Sequence, residues 1–171
     1  MDNGSGSPGR RHAEGVKTVL ILVLLLACCA PATSATDDRA PGEPAGRWAT
    51  VLGRLDDVRE RAYVRGDPAL LGRVYVRGSP LRRADARLLR AYERRGLELD
   101  AVPLRLRDVE LVSLTDRRVR LRVLDQLGAV RVRSPGGPWR ALPTDQPTKR
   151  IITLQRTSDG WRVAAISRVA G

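Results

Sequence analysis

The spacing of apolar residues changes once along this chain, at Gly96, and that change narrows the folds open to it. Upstream, Trp48, Val51, Leu52, Leu55, Val58, Ala62 and Tyr63 recur at intervals of one, three and four, the stripe of an amphipathic helix that Gly66 ends. Asp57 and Arg61 form a supporting pair on its wet side. Asp67-Pro68 reads as an N-cap with proline in the first helical position, opening a short helix through Ala69, Leu70, Leu71 and Val74. Ser79-Pro80 repeats the device for a third helix, with Leu81, Ala84, Leu88, Leu89 and Tyr92 on one face and Gly96 as its stop.

Downstream of Gly96 the period is two. Leu104 and Leu106 alternate with Arg105 and Arg107, and then Val109 and Leu111 alternate with Asp108 and Glu110, so the phase slips and predicts a bulge at Arg107 and Asp108. A turn at Thr115 to Arg117 leads to a second strand with Val119, Leu121 and Val123, and Val130 and Val132 make a third. Ser134 to Pro138 breaks the sheet, which Trp139 briefly resumes. Ile151 to Arg156 and Trp161 to Arg168 form a hairpin across Ser158-Asp159-Gly160. Helices followed by strands predict an α+β domain in which a curved antiparallel sheet packs over N-terminal helices.

A different signal precedes the domain. Residues 1–17 are Gly- and Ser-rich and then basic, with Arg10, Arg11 and Lys17, and residues 18–32 hold the uncharged run TVLILVLLLACCA ended by Pro31. Its thirteen residues from Thr18 to Ala30 make a helix of about 20 Å, against a hydrocarbon core of about 30 Å. That length fits a signal-peptide core better than a permanent span. The run has no polar face, so it does not read as a helix of a folded core. Leu25-Leu26-Ala27-Cys28 resembles a bacterial lipobox, which makes Cys28 the candidate lipidation site, with Leu26 an unusual residue for that motif. Ala30-Pro31-Ala32 and Thr33-Ser34-Ala35 offer small residues for cleavage into a secreted form, and an uncleaved anchor is the third outcome. Residues 33–46, rich in Pro, Gly and acids, read as a linker, and 47–171 as the domain. The expected location is the extracytoplasmic face of the cell membrane, with secretion as the alternative.

The inventory of side chains limits the chemistry. The only histidine is His12, and the only cysteines are the neighbours Cys28 and Cys29, which cannot form an ordinary disulfide. No metal site, cofactor or His- or Cys-based nucleophile is expected in the domain. With no Phe, three Trp and three Tyr, its core should be aliphatic.

After Ala35 the chain carries 28 basic and 17 acidic residues, a net charge of +11 held almost wholly by arginine. Arg120, Arg122, Arg131 and Arg133 are candidate contacts for an anionic lipid or polymer, because guanidinium binds phosphate oxygens through two N–H groups. The plainer reading is a solvated face paired with Asp108, Glu110 and Asp125. Nucleic acid is not expected, since few aromatics lie between the arginines to stack bases.

Two stretches, Arg61-Ala-Tyr-Val-Arg-Gly-Asp-Pro-Ala-Leu70 and Leu154-Gln-Arg-Thr-Ser-Asp-Gly-Trp-Arg-Val163, resemble segments of nuclear-transport-factor-two-like proteins, the cystatin-like superfamily that includes SnoaL-like cyclases and ketosteroid isomerase. An export segment before such a domain is also similar to uncharacterised actinobacterial lipoproteins and Mce-associated membrane proteins. The resemblance implies a cone enclosing a pocket, for which Tyr63, Tyr92 and Trp161 are the candidates. Enzymatic members place a His/Asp pair or an Asp with a Tyr there, and a His-less domain would have to use carboxylates and Tyr63, Tyr75 or Tyr92. The expected role is a non-catalytic binding or accessory domain of the envelope, with a protein or small apolar ligand as partner. Its alternatives are a pocket enzyme of the isomerase, dehydratase or cyclase kind and a module binding anionic lipid or polymer.

Overall fold

The computed structural model describes residues 45–169, and the apolar segment with Cys28 lies outside the described residues. Helix α1, Ala45–Arg65, begins two residues before the expected domain start and buries Trp48, Leu52, Leu55, Val58, Ala62 and Tyr63, the predicted stripe apart from half-buried Val51. A 3-10 helix follows at Pro68–Arg73, then helix α2 at Pro80–Arg94. Both starts use the predicted caps. Asp67 Oδ1 accepts the Ala69 N–H at 2.9 Å and Ser79 Oγ accepts the Leu81 N–H at 3.2 Å. Replacing either cap residue by Ala should cost about 1 kcal/mol, a fall of about 4 °C in melting temperature by calorimetry.

Seven strands follow: β1 Glu98–Leu99, β2 Leu104–Leu114, β3 Arg118–Leu127, β4 Arg131–Arg133, β5 Arg140–Ala141, β6 Thr148–Thr157 and β7 Gly160–Arg168. The order β2-β3-β6-β7 makes an antiparallel sheet, and β1-β4-β5 makes a separate small one. The sequence predicted residues 130–133 as a third strand of a single meander. Instead β4 leaves the main sheet, because its partners are the two-residue strands β1 and β5, too short to show a period. The predicted bulge is present, with the β2–β3 register shifting between Arg107 and Glu110 and Asp108 holding φ 49°.

Helix α1 is fastened to the main sheet by its carboxylates: Asp56 accepts the Leu104 N–H at 2.9 Å and Glu60 the Val102 N–H at 3.0 Å. The chain between the 3-10 helix and α2 runs along β7, where Val163 N–H donates to the Val74 carbonyl and Val76 N–H to the Val163 carbonyl. The helices are thereby held against one face of the sheet. Trp48, Leu71, Val119, Leu121, Val123 and Leu154 fill the space between, all less than 2% exposed.

Candidate functional site

Amid this aliphatic core sit charged side chains that the fold turns inward. Arg59 lies on the stripe of α1, four residues after Leu55 and three before Ala62, and Asp85 lies on the stripe of α2, four residues after Leu81 and three before Leu88. Facing helices therefore bring opposite charges together. Arg59 Nε donates to Asp85 Oδ2 at 3.0 Å, and the Tyr75 hydroxyl donates to the same oxygen at 2.7 Å. Asp85 and Tyr75 are 4% and 5% exposed. The Arg59 guanidinium also stands 4.8 Å from the centre of the Tyr63 ring.

The sheet repeats the arrangement. Asp125 continues the inward series Val119, Leu121, Val123, and Arg150 shares its parity with Ile152 and Leu154. Arg150 Nε donates to Asp125 Oδ1 at 2.8 Å, with both residues buried.

Burial is the largest single influence on Arg59 and opposes its charge, but the Asp85 carboxylate, Tyr63, Tyr75 and Asp56 together outweigh it, and its proton affinity ends well above the ordinary value. Burial raises the phenol of Tyr75, and the Asp85 charge adds to that; Tyr63 is raised well above the ordinary phenol by the same two causes in the same order. Both phenols therefore stay protonated at neutral pH and serve as donors rather than bases. The Tyr63 hydroxyl is buried with no hydrogen-bond partner of regular geometry among the described residues, although Asp85 lies within its electrostatic reach. Burial also raises Asp56 and Asp125, with Arg59 and Arg150 respectively opposing it.

The predicted site residues do not meet in one place. Tyr63 belongs to the buried cluster, whereas Tyr92 packs elsewhere in the core with its phenol pushed up to about 12 by burial. Trp161 is half-buried and meets Trp48 edge-on at 5.2 Å, closing one end of the core. Arg120 and Arg122 lie on β3, Arg131 and Arg133 on β4 in the other sheet. Arg122 pairs with Glu110 at 2.9 Å, as the cross-strand reading predicted. Asp125, expected on the same wet face, is instead buried against Arg150 because it keeps the inward parity of Val119, Leu121 and Val123, and Asp108 makes no ion pair among the described residues. Arg131 pairs with Asp100 and Arg133 with Glu98, both at 2.5 Å, and both guanidinium groups stand over Trp139. The sequence reading missed Asp85 and Arg59. Each was legible as a lone charge on an apolar helical stripe, of opposite sign to the other.

Two concavities stand out, and neither reaches the cluster. One of about 580 Å³ lies between the turn tips at Asp116, Arg117 and Arg156 to Ser158, and one of about 350 Å³ lies along α1 at Asp57, Glu60, Arg61, Val64, Arg65 and Asp100. Among the described residues no three His, Cys, Asp or Glu side chains converge as metal ligands, and no helix is long and apolar enough to cross a membrane.

No protein-family model matches the chain, and no curated protein matches it significantly. Solved structures do. The intermembrane-space region of the chloroplast protein ARC6 superposes with a TM-score of 0.54 at 11% identity, covering 77% of this chain and all of that one. A domain of unknown function with a cystatin-like fold from Nostoc punctiforme gives 0.43 at 13% identity, over 72% of this chain and 78% of that one. A nuclear-transport-factor-two-like superfamily protein from Salmonella enterica gives 0.46 at 10% identity, over 75% and 95%. At such identities the ARC6 likeness concerns the fold alone, an α+β architecture of helices packed on an antiparallel sheet.

Proposed function

We propose that this chain is a non-catalytic binding or accessory domain of the cell envelope, held at the extracytoplasmic face of a membrane by its N-terminal apolar segment. The observation that carries the reading is the occupied interior. Between helices and sheet, where a cone of this kind could enclose a ligand, stand the Arg59–Asp85–Tyr75 network and its aliphatic surround. The exported placement rests on the basic residues and the uncharged run Thr18 to Ala30, and it fits the resemblance to actinobacterial lipoproteins and Mce-associated membrane proteins.

Fractionation of cells expressing the full chain tests this. The chain should sediment with membranes and resist salt extraction, and protease added to intact cells should digest its folded part. Recovery from the cytosol, or protection from external protease, contradicts the reading. Mass spectrometry of the mature N-terminus then separates a lipidated Cys28 from cleavage after Ala32 or Ala35 and from an uncleaved anchor.

One observation favours the pocket-enzyme reading. A carboxylate and two tyrosines, Asp85 with Tyr75 and Tyr63, do converge in the interior, the residue types that acid–base chemistry in a His-less domain would need. Against it, Arg59 already occupies Asp85, and both phenols are held protonated.

A further inference from the structure

The outer face of the main sheet is the strongest unassigned surface of the molecule. Strand alternation turns Arg105 and Arg107 of β2, Arg118, Arg120 and Arg122 of β3, and Lys149 of β6 away from the helices, and all six are exposed. The register gathers them: Arg107 lies opposite Leu124, which lies opposite Lys149, with Arg122 one pair of residues along β3 and Arg120 two pairs along. At strand spacings of about 4.8 Å and about 6.8 Å per two residues, they form one patch about 25–30 Å long. Of the carboxylates on these strands, Glu110 pairs with Arg122, Asp125 is buried against Arg150, and Asp108 is exposed at the bulge beside Arg107 without an ion pair among the described residues. The other five cations have no carboxylate within ion-pair distance among the described residues. This departs from the arginine set read from sequence, since Arg131 and Arg133 lie on the other sheet and are paired with acids.

We infer that this sheet face docks on the anionic phospholipid headgroups of the bilayer that carries the N-terminal segment. The inference rests on the tethered reading above and adds the surface and the ligand chemistry. Three observations select lipid over a soluble polyanion or nucleic acid. The face is a sheet with half-buried Leu124 and Ile151 between its cations, a broad surface suited to a plane of phosphates. It carries no aromatic side chain to stack a base, since Trp48 and Trp161 pack in the core and Trp139 lies beside the small sheet under Arg131 and Arg133. Finally, only fourteen residues, 31–44, separate the apolar run from helix α1, a reach of at most about 50 Å. The domain is thereby confined within about one domain diameter of headgroup phosphates, and each cation near such a surface strengthens docking about fivefold.

The test uses the full chain in nanodiscs and reads energy transfer from its tryptophans to dansyl-labelled headgroups. Transfer should be higher in an equal mixture of phosphatidylglycerol and phosphatidylcholine than in phosphatidylcholine alone. It should lose that excess between about 0.01 M and about 1 M salt, as the Debye length shrinks from about 30 Å to about 3 Å. A variant with Arg107, Arg118, Arg120 and Lys149 all replaced by Gln should lose docking by about three decades while melting with the wild type. A variant with the exposed Arg54, Arg87, Arg90 and Arg94 replaced by Gln loses the same charge from the helices and should keep the response. Equal transfer in the two lipids at low salt overturns the inference, as does equal loss in both variants, which would assign the effect to net charge. Binding to polyphosphate without a vesicle response transfers the face to a polymer and overturns the lipid assignment. If the chain does not stay in either bilayer, the tether fails by itself. Flotation of that soluble chain with the mixed vesicles then decides the face: flotation lost in the sheet variant supports it, and no flotation overturns it.

Discussion

Replacing Asp85 by Ala is expected to destabilise the domain by about 3 kcal/mol, seen as a fall of roughly 10–15 °C in the calorimetric midpoint. The substitution removes one partner of a buried pair and leaves the Arg59 charge facing an aliphatic core, with the Tyr75 hydroxyl deprived of its acceptor. The cost falls at the lower end for such pairs because the Arg59 side chain keeps 22% exposure and has Asp56 at 3.9 Å as a second partner. Two companions separate the components. Tyr75→Phe removes a single hydrogen bond to a charged acceptor and should cost about 1.5–3 kcal/mol. Replacing Arg59 by Met, Tyr75 by Phe and Asp85 by Leu together removes both charges and the hydroxyl that would lose its acceptor, and should recover most of the loss, since apolar residues commonly substitute for a buried pair without penalty. If the triple variant is as unstable as Asp85→Ala, packing rather than charge explains the effect.

Trp48→Ala should cost about 3–5 kcal/mol, the range for truncating a fully buried aromatic. The indole is 0% exposed and supports the Trp161 ring edge-on at 5.2 Å, so its loss opens a cavity and unseats the closing hairpin as well. Its Nε1–H is buried with no hydrogen-bond partner among the described residues, which makes the indole imperfectly satisfied there. Trp48→Phe keeps the ring, drops the orphaned donor and should therefore cost well under half as much as Trp48→Ala in chemical denaturation. Trp161→Ala should fall between the two, because that ring is only half-buried. A Trp48→Ala variant with an unchanged midpoint would remove α1 from the core.

What could be read from the sequence depended on how often a pattern repeats. Helix α1 and helix α2 expose their stripes over five and four turns' worth of sampling, and Asp67-Pro68 and Ser79-Pro80 mark the starts of the 3-10 helix and of α2 by cap chemistry that needs no tertiary partner. The phase slip at Arg107 and Asp108 was legible because a bulge reverses the in–out alternation of every later residue in the strand. The small sheet was not, since β1 and β5 have two residues each and owe their existence to β4. The interior charges lay between these cases. Arg59, Asp85, Asp125 and Arg150 occupy core-facing positions by the same periodicities that identified the core, but a charge at such a position looks like a defect until its partner from another element is known. Tyr75 was visible only as one tyrosine of three, because what draws it inward is the bridge of its segment to Val163.

If the interior is closed structure and function lies with the tether and the outer surface, solvent access to the interior is the most direct test. Proton exchange of the Arg59 Nε–H and the Tyr75 hydroxyl can be followed by NMR on the full chain in nanodiscs. Closed packing predicts that both protons, held by Asp85, exchange with water slowly enough to give resolved resonances at neutral pH. Exchange at the rate of a free side chain would mean that water enters beside Asp85, and with it the pocket that the enzymatic reading requires.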